Sequence, residues 1–246
     1  MTHDEIEAIV GGYHGDPFRV LGPHAVETGA GADAWEVRAF LPQAEAAEVA
    51  GQGFRAEMKK LHPAGFFRAR VAGDRQPYRL RLKLWNGGTA EIEDPYRFPP
   101  LLTDFEIHLH AEGTNFESYR TLGAHLAAVE GVPGVRFAVW APNAEVVTVV
   151  GDFNDWDTRR HPMRLRNGGI WELFIPHAGE GTHYKYFVRS RFHGYRQLKA
   201  DPYGFGSEVP PKSASVVRAL DRYQWNDAEW MEGRGKKDWL KEPVSI

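Results

Sequence analysis

The chain has 246 residues, enough for one large domain or two of ordinary size, with the apolar and charged content of a globular protein. Its formal net charge of −3 offers no broad basic field for a phosphate backbone, and no apolar run is long enough to span a bilayer. With no cysteine there is no disulfide framework and no thiolate chemistry, and the acidic start Met1-Thr2-His3-Asp4-Glu5 is unlike a signal peptide, so a cytoplasmic setting is expected.

The first element is a short helix. Thr2 and Glu5 have the spacing of a capping box, and Gly11-Gly12 supplies the stop. Trp35-Glu36-Val37-Arg38-Ala39 then alternates apolar and polar residues with period two, which predicts a half-buried strand. Tyr78, Leu80, Leu82 and Leu84 share one face of another strand, with Arg79, Arg81 and Lys83 on the other. Turns are signalled at residues 29–31 and at Asn86-Gly87-Gly88. Residues 101–119 read as a polar linker in which His108 and His110 alternate along a strand; solvated histidines are expected there, not metal ligands. Beyond it, Val135-Arg136-Phe137-Ala138-Val139 repeats the strand pattern, and Tyr184, Tyr186 and Val188 repeat the apolar face. Further turns are signalled at Asn167-Gly168-Gly169 and Gly179-Glu180-Gly181.

These similarities are a duplication. Leu21-Gly22-Pro23-His24 returns as Leu122-Gly123-Ala124-His125, and Pro42 and Gly51 return 100 positions on as Pro142 and Gly151. Gly65-Phe66-Phe67 matches Gly169-Ile170-Trp171, and Tyr78 matches Tyr184. Asp94-Pro95-Tyr96 matches Asp201-Pro202-Tyr203, and Pro99-Pro100 matches Pro210-Pro211. Seven landmarks in one order describe a repeated domain, too long for a solenoid unit. Several short alternating strands in each copy predict an all-β protein of two tandem immunoglobulin-like (early-set) β-sandwiches, over 1–107 and 108–222. Residues 223–246 then read as a linker, its charged stretch at 233–241 followed by the apolar ending Pro243-Val244-Ser245-Ile246, toward a domain expected downstream.

Duplicated scaffolds diverge where they work. Between Gly51 and Met58 the first copy has six residues; between Gly151 and Met163 the second has eleven, and they include Asn154, Asp155, Trp156 and Asp157. A sugar offers an apolar C–H face for an aromatic ring and a hydroxyl rim for amide and ammonium groups. Trp156 and Asn154 supply the first two, and Lys185, opposite in phase to Tyr184 and Tyr186, supplies the third. For Trp156, packing beneath its own loop stays open beside stacking, and for Asn154 an Asx-turn stays open beside a sugar contact. Trp171, in register with Phe67, is expected in the core, and Trp140, out of phase with Phe137 and Val139, marks a domain-docking patch rather than a ligand site.

The second copy resembles a family 48 carbohydrate-binding module. The resemblance rests on Phe137-Ala138-Val139-Trp140-Ala141-Pro142, Gly151-Asp152-Phe153-Asn154-Asp155-Trp156, Gly169-Ile170-Trp171-Glu172 and His183-Tyr184-Lys185-Tyr186. The first copy, opening on His14-Gly15-Asp16-Pro17-Phe18-Arg19, resembles the extra N-terminal domain of bacterial glycogen branching enzymes. The stretch Trp225-Asn226-Asp227 with Trp230 is similar to the segment that leads into their catalytic barrel. The resemblance implies an α-1,4-glucan or glycogen as partner, a downstream (β/α)₈ barrel that carries the two catalytic carboxylates of a retaining transfer, no cofactor, and no catalytic residue within these 246 positions. The first copy, whose short loop has no Trp, is expected to bind no ligand. A stand-alone glucan-binding module and an immunoglobulin-like interaction module without a sugar ligand remain the alternatives.

Overall fold

A computed structural model describes residues 1–26, 34–236 and 240–241; the turn at residues 29–31 and the ending 243–246 lie outside them. The chain opens with helix α1 (His3–Val10), capped as its sequence requires: Thr2 Oγ1 accepts the Glu5 N–H and the Glu5 carboxylate accepts the Thr2 N–H. Its buried face is Ile6 and Ile9.

The first module consists of β1 (Gly22–Val26), β2 (Ala34–Phe40), β3 (Ala44–Gly51), β4 (Phe54–His62), β5 (Phe66–Ala72), β6 (Tyr78–Leu84) and β7 (Thr89–Ile92). All pairs are antiparallel, in the order β1-β2-β5-β4-β3-β6-β7. Strand β4 pairs with β3 along its first half and with β5 along its second, which includes a register shift, so one sheet passes into the other. The two halves close on a shared core that includes Trp35, Val37, Val49, Phe67, Tyr78 and Leu80.

Next come two short helices, α2 (Asp104–Glu112) and α3 (Ser118–Thr121), and then the strands of the second module. These are β8 (Gly123–Val129), β9 (Val132–Trp140), β10 (Ala144–Gly151), β11 (Arg164–Leu165), β12 (Ile170–Pro176), β13 (His183–Ser190), β14 (Arg196–Lys199) and β15 (Ser215–Val216). One sheet runs β11-β12-β9-β8; the other runs β10-β13-β14, with β15 on the end of β13. Phe137, Val149, Trp171, Leu173, Tyr184 and Tyr186 fill the space between them.

The duplication holds pair by pair. Gly51 lies opposite Tyr78 and Gly151 opposite Tyr184, and both strand pairs shift register at the same place, after Ala44 and after Ala144. Phe67 faces Ala39 as Trp171 faces Val139. The shared landmarks have shared physical reasons. His24 and His125 each bond back through Nε2 to a backbone carbonyl, of Leu21 and Leu122. Gly65 and Gly169 sit at φ +102 and +80, where a side chain is strained, and a Cβ would stand 2.8 and 2.6 Å from the Cα of Pro42 and Pro142. Tyr78 donates its hydroxyl to Asp94 at 2.6 Å and Tyr184 to Asp201 at 2.7 Å. Each of these aspartates also accepts the backbone N–H two residues on, from Tyr96 and Tyr203.

Burial pushes the Asp94 carboxyl from 3.8 up to about 6, against the lowering effect of its hydrogen bonds. The folded chain therefore keeps a proton between about 4 and 6 that the unfolded chain has released, and this group's share of stability falls as pH rises through that window. Carbon-13 NMR is expected to show Asp94 titrating at about 6, and Asp94→Asn is expected to remove that component of the stability profile. A midpoint at the ordinary carboxylate value would contradict it.

Three expectations about the chain between and beyond the modules change. His108 and His110 lie on α2, not on a strand: Thr103 and Glu106 form a second capping box, and Gly113 at φ 74 ends the helix. Two residues apart on a helix, the rings point in different directions; His108 pairs with Glu112, and His110 meets Trp140 edge-on. The boundary placed at 107/108 therefore falls inside a helix. Leu102 and Ile107 pack with Leu122, Ala138 and Ile170, and the Leu102 N–H donates to Glu172, so α2 is built onto the second module. The tail expected as a plain linker forms a further short helix, α4 (Ala228–Gly233), but no described side chain from Arg218 onward is buried.

The modules share an interface. Ile6, Ile9, Phe66 and Tyr96 belong to the same apolar cluster as Phe137 and Trp171. The Arg164 guanidinium stands 3.6 Å over the Phe18 ring, and Arg97, already paired with Glu93, reaches Glu130 at 2.6 Å. Among the described residues no helix is long and apolar enough to cross a membrane.

Candidate functional site

The site is built at one end of the β10–β13 pair. Where β4 runs on as a strand in the first module, the second has a loop over residues 152–162, which rejoins β10 at His161, whose carbonyl accepts the Val149 N–H, at Pro162, opposite Thr148, and at Met163, whose N–H donates to Val147. In the first module the counterpart, Met58, lies opposite Ala47, so the five extra residues are confined to this loop.

Trp156 is 37 % exposed, its backbone N–H bonded to the Gly151 carbonyl at 3.2 Å. Its φ of 60, after 55 at Asp155, is an unfavourable value for a bulky residue, and it takes the backbone off the extended path of a strand. Lys185 lies opposite Val150 in the β10–β13 register, one position from Gly151, so the loop and the ammonium share a strand end. Lys185 Nζ donates to Ser213 Oγ at 2.9 Å, which steadies the ammonium and leaves it further protons to give.

Asn154 departs from its expected place on a hydroxyl rim: it is wholly buried. Its Oδ1 accepts the Gly151 N–H at 3.0 Å, and its Nδ2 donates to the Val149 carbonyl at 3.0 Å and meets His161 Nδ1 at 3.1 Å. Burial drives His161 down to about 3, so the ring is neutral and accepts at Nδ1. The amide is spent on the loop's own shape, though not as an Asx-turn, since its Oδ1 accepts from Gly151, three residues before it, and not from the residue two on.

Two groups that the sequence reading did not place at the site stand beside the indole. Asp152 accepts the His183 N–H and bonds the His183 ring, each at 3.0 Å, and the Trp156 side chain lies near this carboxylate. Burial raises the Asp152 carboxyl, but the hydrogen bonds from His183 outweigh it and hold the group below its ordinary value. His183 precedes Lys185 by two and so shares its face, a signal that was legible in the alternation. Asp157 likewise lies below its ordinary value, burial being overcome by bonds from Arg159, and Asp155 pairs with Arg160 at 3.2 Å. Each carboxylate of the loop has a cationic or imidazole partner, and Asp152 and Asp157 are ionised at neutral pH.

The other tryptophans divide by environment. Trp171 is 1 % exposed, its Nε1 bonded to the Ala141 carbonyl. Trp140 is 53 % exposed, but its Nε1 donates to the Gly168 carbonyl and its ring abuts His110. In the first module the register counterpart of Lys185 is Arg79, whose guanidinium is engaged by Glu93 at 2.7 Å and Glu91 at 3.1 Å. Among the described residues no group of three His, Cys, Asp or Glu is arranged to hold a metal.

Comparison with known proteins divides the chain along the same lines. Residues 2–96 match the family model described as alpha-1,4-glucan branching enzyme GlgB, N-terminal domain. Residues 121–204 match carbohydrate-binding module 48 (isoamylase N-terminal domain). A 1,4-alpha-glucan branching enzyme of Paramagnetospirillum magneticum is 50 % identical over 247 residues, which cover 100 % of this chain and 33 % of that protein. One from Rubrobacter xylanophilus is 49 % identical over 249 residues, with 100 % and 34 % covered. The chain thus spans about a third of the length of these relatives. Among solved structures, a pullulanase from Anoxybacillus sp. LM18-11 aligns with 83 % of this chain and 28 % of its own, at a TM-score of 0.36 and 16 % identity.

Proposed function

We infer that this chain, which carries the N-terminal region of the 1,4-alpha-glucan branching enzyme family, is the part of such an enzyme that holds α-1,4-glucan while a catalytic domain cuts and rejoins it. The observation that carries the reading is the Trp156 loop: an exposed indole in a loop that leaves the strand end where Lys185 lies, within the segment that matches a carbohydrate-binding module. A flat ring takes the C–H face of a glucose unit, and Lys185 takes the hydroxyl rim. Asn154 acts behind the site by fixing the loop. Binding is confined to the second module, because the first has no aromatic residue between Gly51 and Phe54, no inserted loop, and an ion-paired Arg79 in place of Lys185. A cytoplasmic setting accords with a glycogen substrate, and the exposed Tyr223, Trp225 and Trp230 suit contact with the catalytic domain that the longer relatives' length implies.

The 246-residue chain on its own is expected neither to branch nor to hydrolyse α-glucan. Retaining transfer needs two carboxyl groups roughly 5 Å apart, one of them protonated at working pH. In the loop every carboxylate is paired, and Asp152 and Asp157 are held below their ordinary values. Purified protein incubated with amylose is expected to give no change in iodine-complex spectrum and no new reducing ends. New α-1,6 linkages would overturn the assignment of catalysis to another domain. Retention of this protein on a glycogen affinity gel tests the binding function directly.

A further inference from the structure

The eleven-residue loop has two faces. Its first half presents Trp156; its second half turns back onto the first module. A Cβ on Gly12, at the end of α1, would stand 3.2 Å from the Arg159 Cα. The Arg159 guanidinium lies 5.7 Å over the ring of Phe40, the last residue of β2. The Tyr96 hydroxyl donates to the Pro162 carbonyl at 3.1 Å in a buried position. Gly12, Phe40 and Tyr96 all belong to the first module, so the loop is braced from outside its own domain.

The brace meets a backbone that needs one. Asp155, Trp156 and His161 adopt φ of 55, 60 and 62, the left-handed region, which residues other than glycine hold only where surrounding contacts over-determine it. The second module supplies part of the support: the Trp156 N–H to Gly151, the Val149 N–H to the His161 carbonyl at 3.3 Å, the Asp157 N–H to Asn154 and the Arg160 N–H to Asp157, each at 3.1 Å, the Arg159–Asp157 and Arg160–Asp155 pairs, and the Asn154 amide that joins the two halves through His161. In the first module the corresponding chain stays paired as β4, Ala47 opposite Met58 and Lys59 opposite Arg68, and has no such need.

We propose that the first module is a positioning element for the glucan site of the second. Through Gly12, Phe40 and Tyr96 it holds the returning half of the loop, residues 159–162, and thereby the left-handed backbone at Asp155 and Trp156 and the direction of the indole. The proposal rests on the reading of Trp156 as the glucan platform, but the mechanical coupling beneath it is measurable without ligand.

The test uses the full chain. Tyr96→Phe removes one hydroxyl and keeps the ring that packs 5.0 Å from Phe18. Gly12→Val pushes on the Arg159 backbone and serves as the second variant. Met58→Ala, in the first module's own core, is the control for general loss of stability. Hydrogen exchange at the Trp156 and Asp157 amides reads the loop, and the Kd for maltoheptaose reads the site. Tyr96→Phe is expected to speed exchange at both amides about fivefold or more and to weaken maltoheptaose about threefold or more, whereas Met58→Ala lowers the melting temperature and leaves both unchanged. Unchanged exchange in both Tyr96→Phe and Gly12→Val overturns the proposal, as does an equal response from Met58→Ala. Faster exchange with unchanged affinity separates two failures. If Trp156→Ala still abolishes binding, positioning is refuted; if Trp156→Ala binds like the parent, the glucan reading falls and the coupling stands.

Discussion

Trp156→Ala is expected to abolish retention on a glycogen affinity gel while the melting temperature stays nearly unchanged. One exposed ring and one ammonium make a small contact, and association has its own entropic cost, so the parent is expected to bind weakly, with Kd on the order of millimolar, or about −4 kcal/mol. A ring stacked on a sugar contributes about 0.5–1.5 kcal/mol beyond the area it covers. Losing both weakens binding roughly tenfold or more, out of the range that retards a band. Stability is spared because the indole is partly exposed and its one backbone bond, to Gly151, survives in alanine. Lys185→Ala is expected to show partial loss, since the ammonium is already shared with Ser213. If Trp156→Ala binds as the parent does, the site lies elsewhere and Trp140 is the next residue to replace. That ring is exposed, but His110 meets it edge-on and its Nε1 is occupied by Gly168, which makes it a less open platform.

Trp171→Ala is expected to do the reverse in kind: to destabilise the second module by about 3–5 kcal/mol, the usual cost of emptying a buried aromatic site. Trp171 is buried and packs in the cluster of Phe137, Val139 and Tyr184. Its indole N–H holds the Ala141 carbonyl, next to the contact of Pro142 with Gly169 that both modules share in kind. Urea unfolding followed by far-ultraviolet circular dichroism is expected to show a lower midpoint with little change in slope. A variant as stable as the parent would mean that the indole is not the centre of this core. Destabilisation by Trp156→Ala together with tolerance at Trp171 would mean that the two residues' roles are exchanged.

How far the sequence could be read depended on whether a feature was local. Thr2 and Glu5 announced a capping box, and the helix formed. Thr103 and Glu106 have the same spacing, and that helix went unread, because Ile107 is its one buried residue and no apolar stripe accompanies the cap. Period-two alternation identified the core strands because a sheet face is written at every second residue. Trp156 is a candidate because the first copy serves as a blank against which five extra residues stand out, and Lys185 because alternation sets it opposite in phase to Tyr184 and Tyr186. The same comparison leaves the role of Asn154 open, since an amide aimed at a ligand and one turned inward onto Gly151 and Val149 have the same neighbours in sequence.

By itself the sequence determined the duplication, the all-β sandwich of each copy, the burial of Trp171, and the place of the extra loop. These follow from short-range chemistry repeated in order: alternation, turn glycines that no other residue replaces, and a tyrosine spaced to reach its aspartate. Only the tertiary structure decided that α2 belongs to the second module, that Asn154 and His161 hold the loop from within, and that Tyr96 and Phe40 brace it from the other domain. Such contacts join residues such as Tyr96 and Pro162, 66 positions apart, through side-chain direction and domain docking. Neither is encoded in the period or spacing of the residues involved, so neither can be seen until the two sandwiches are packed together.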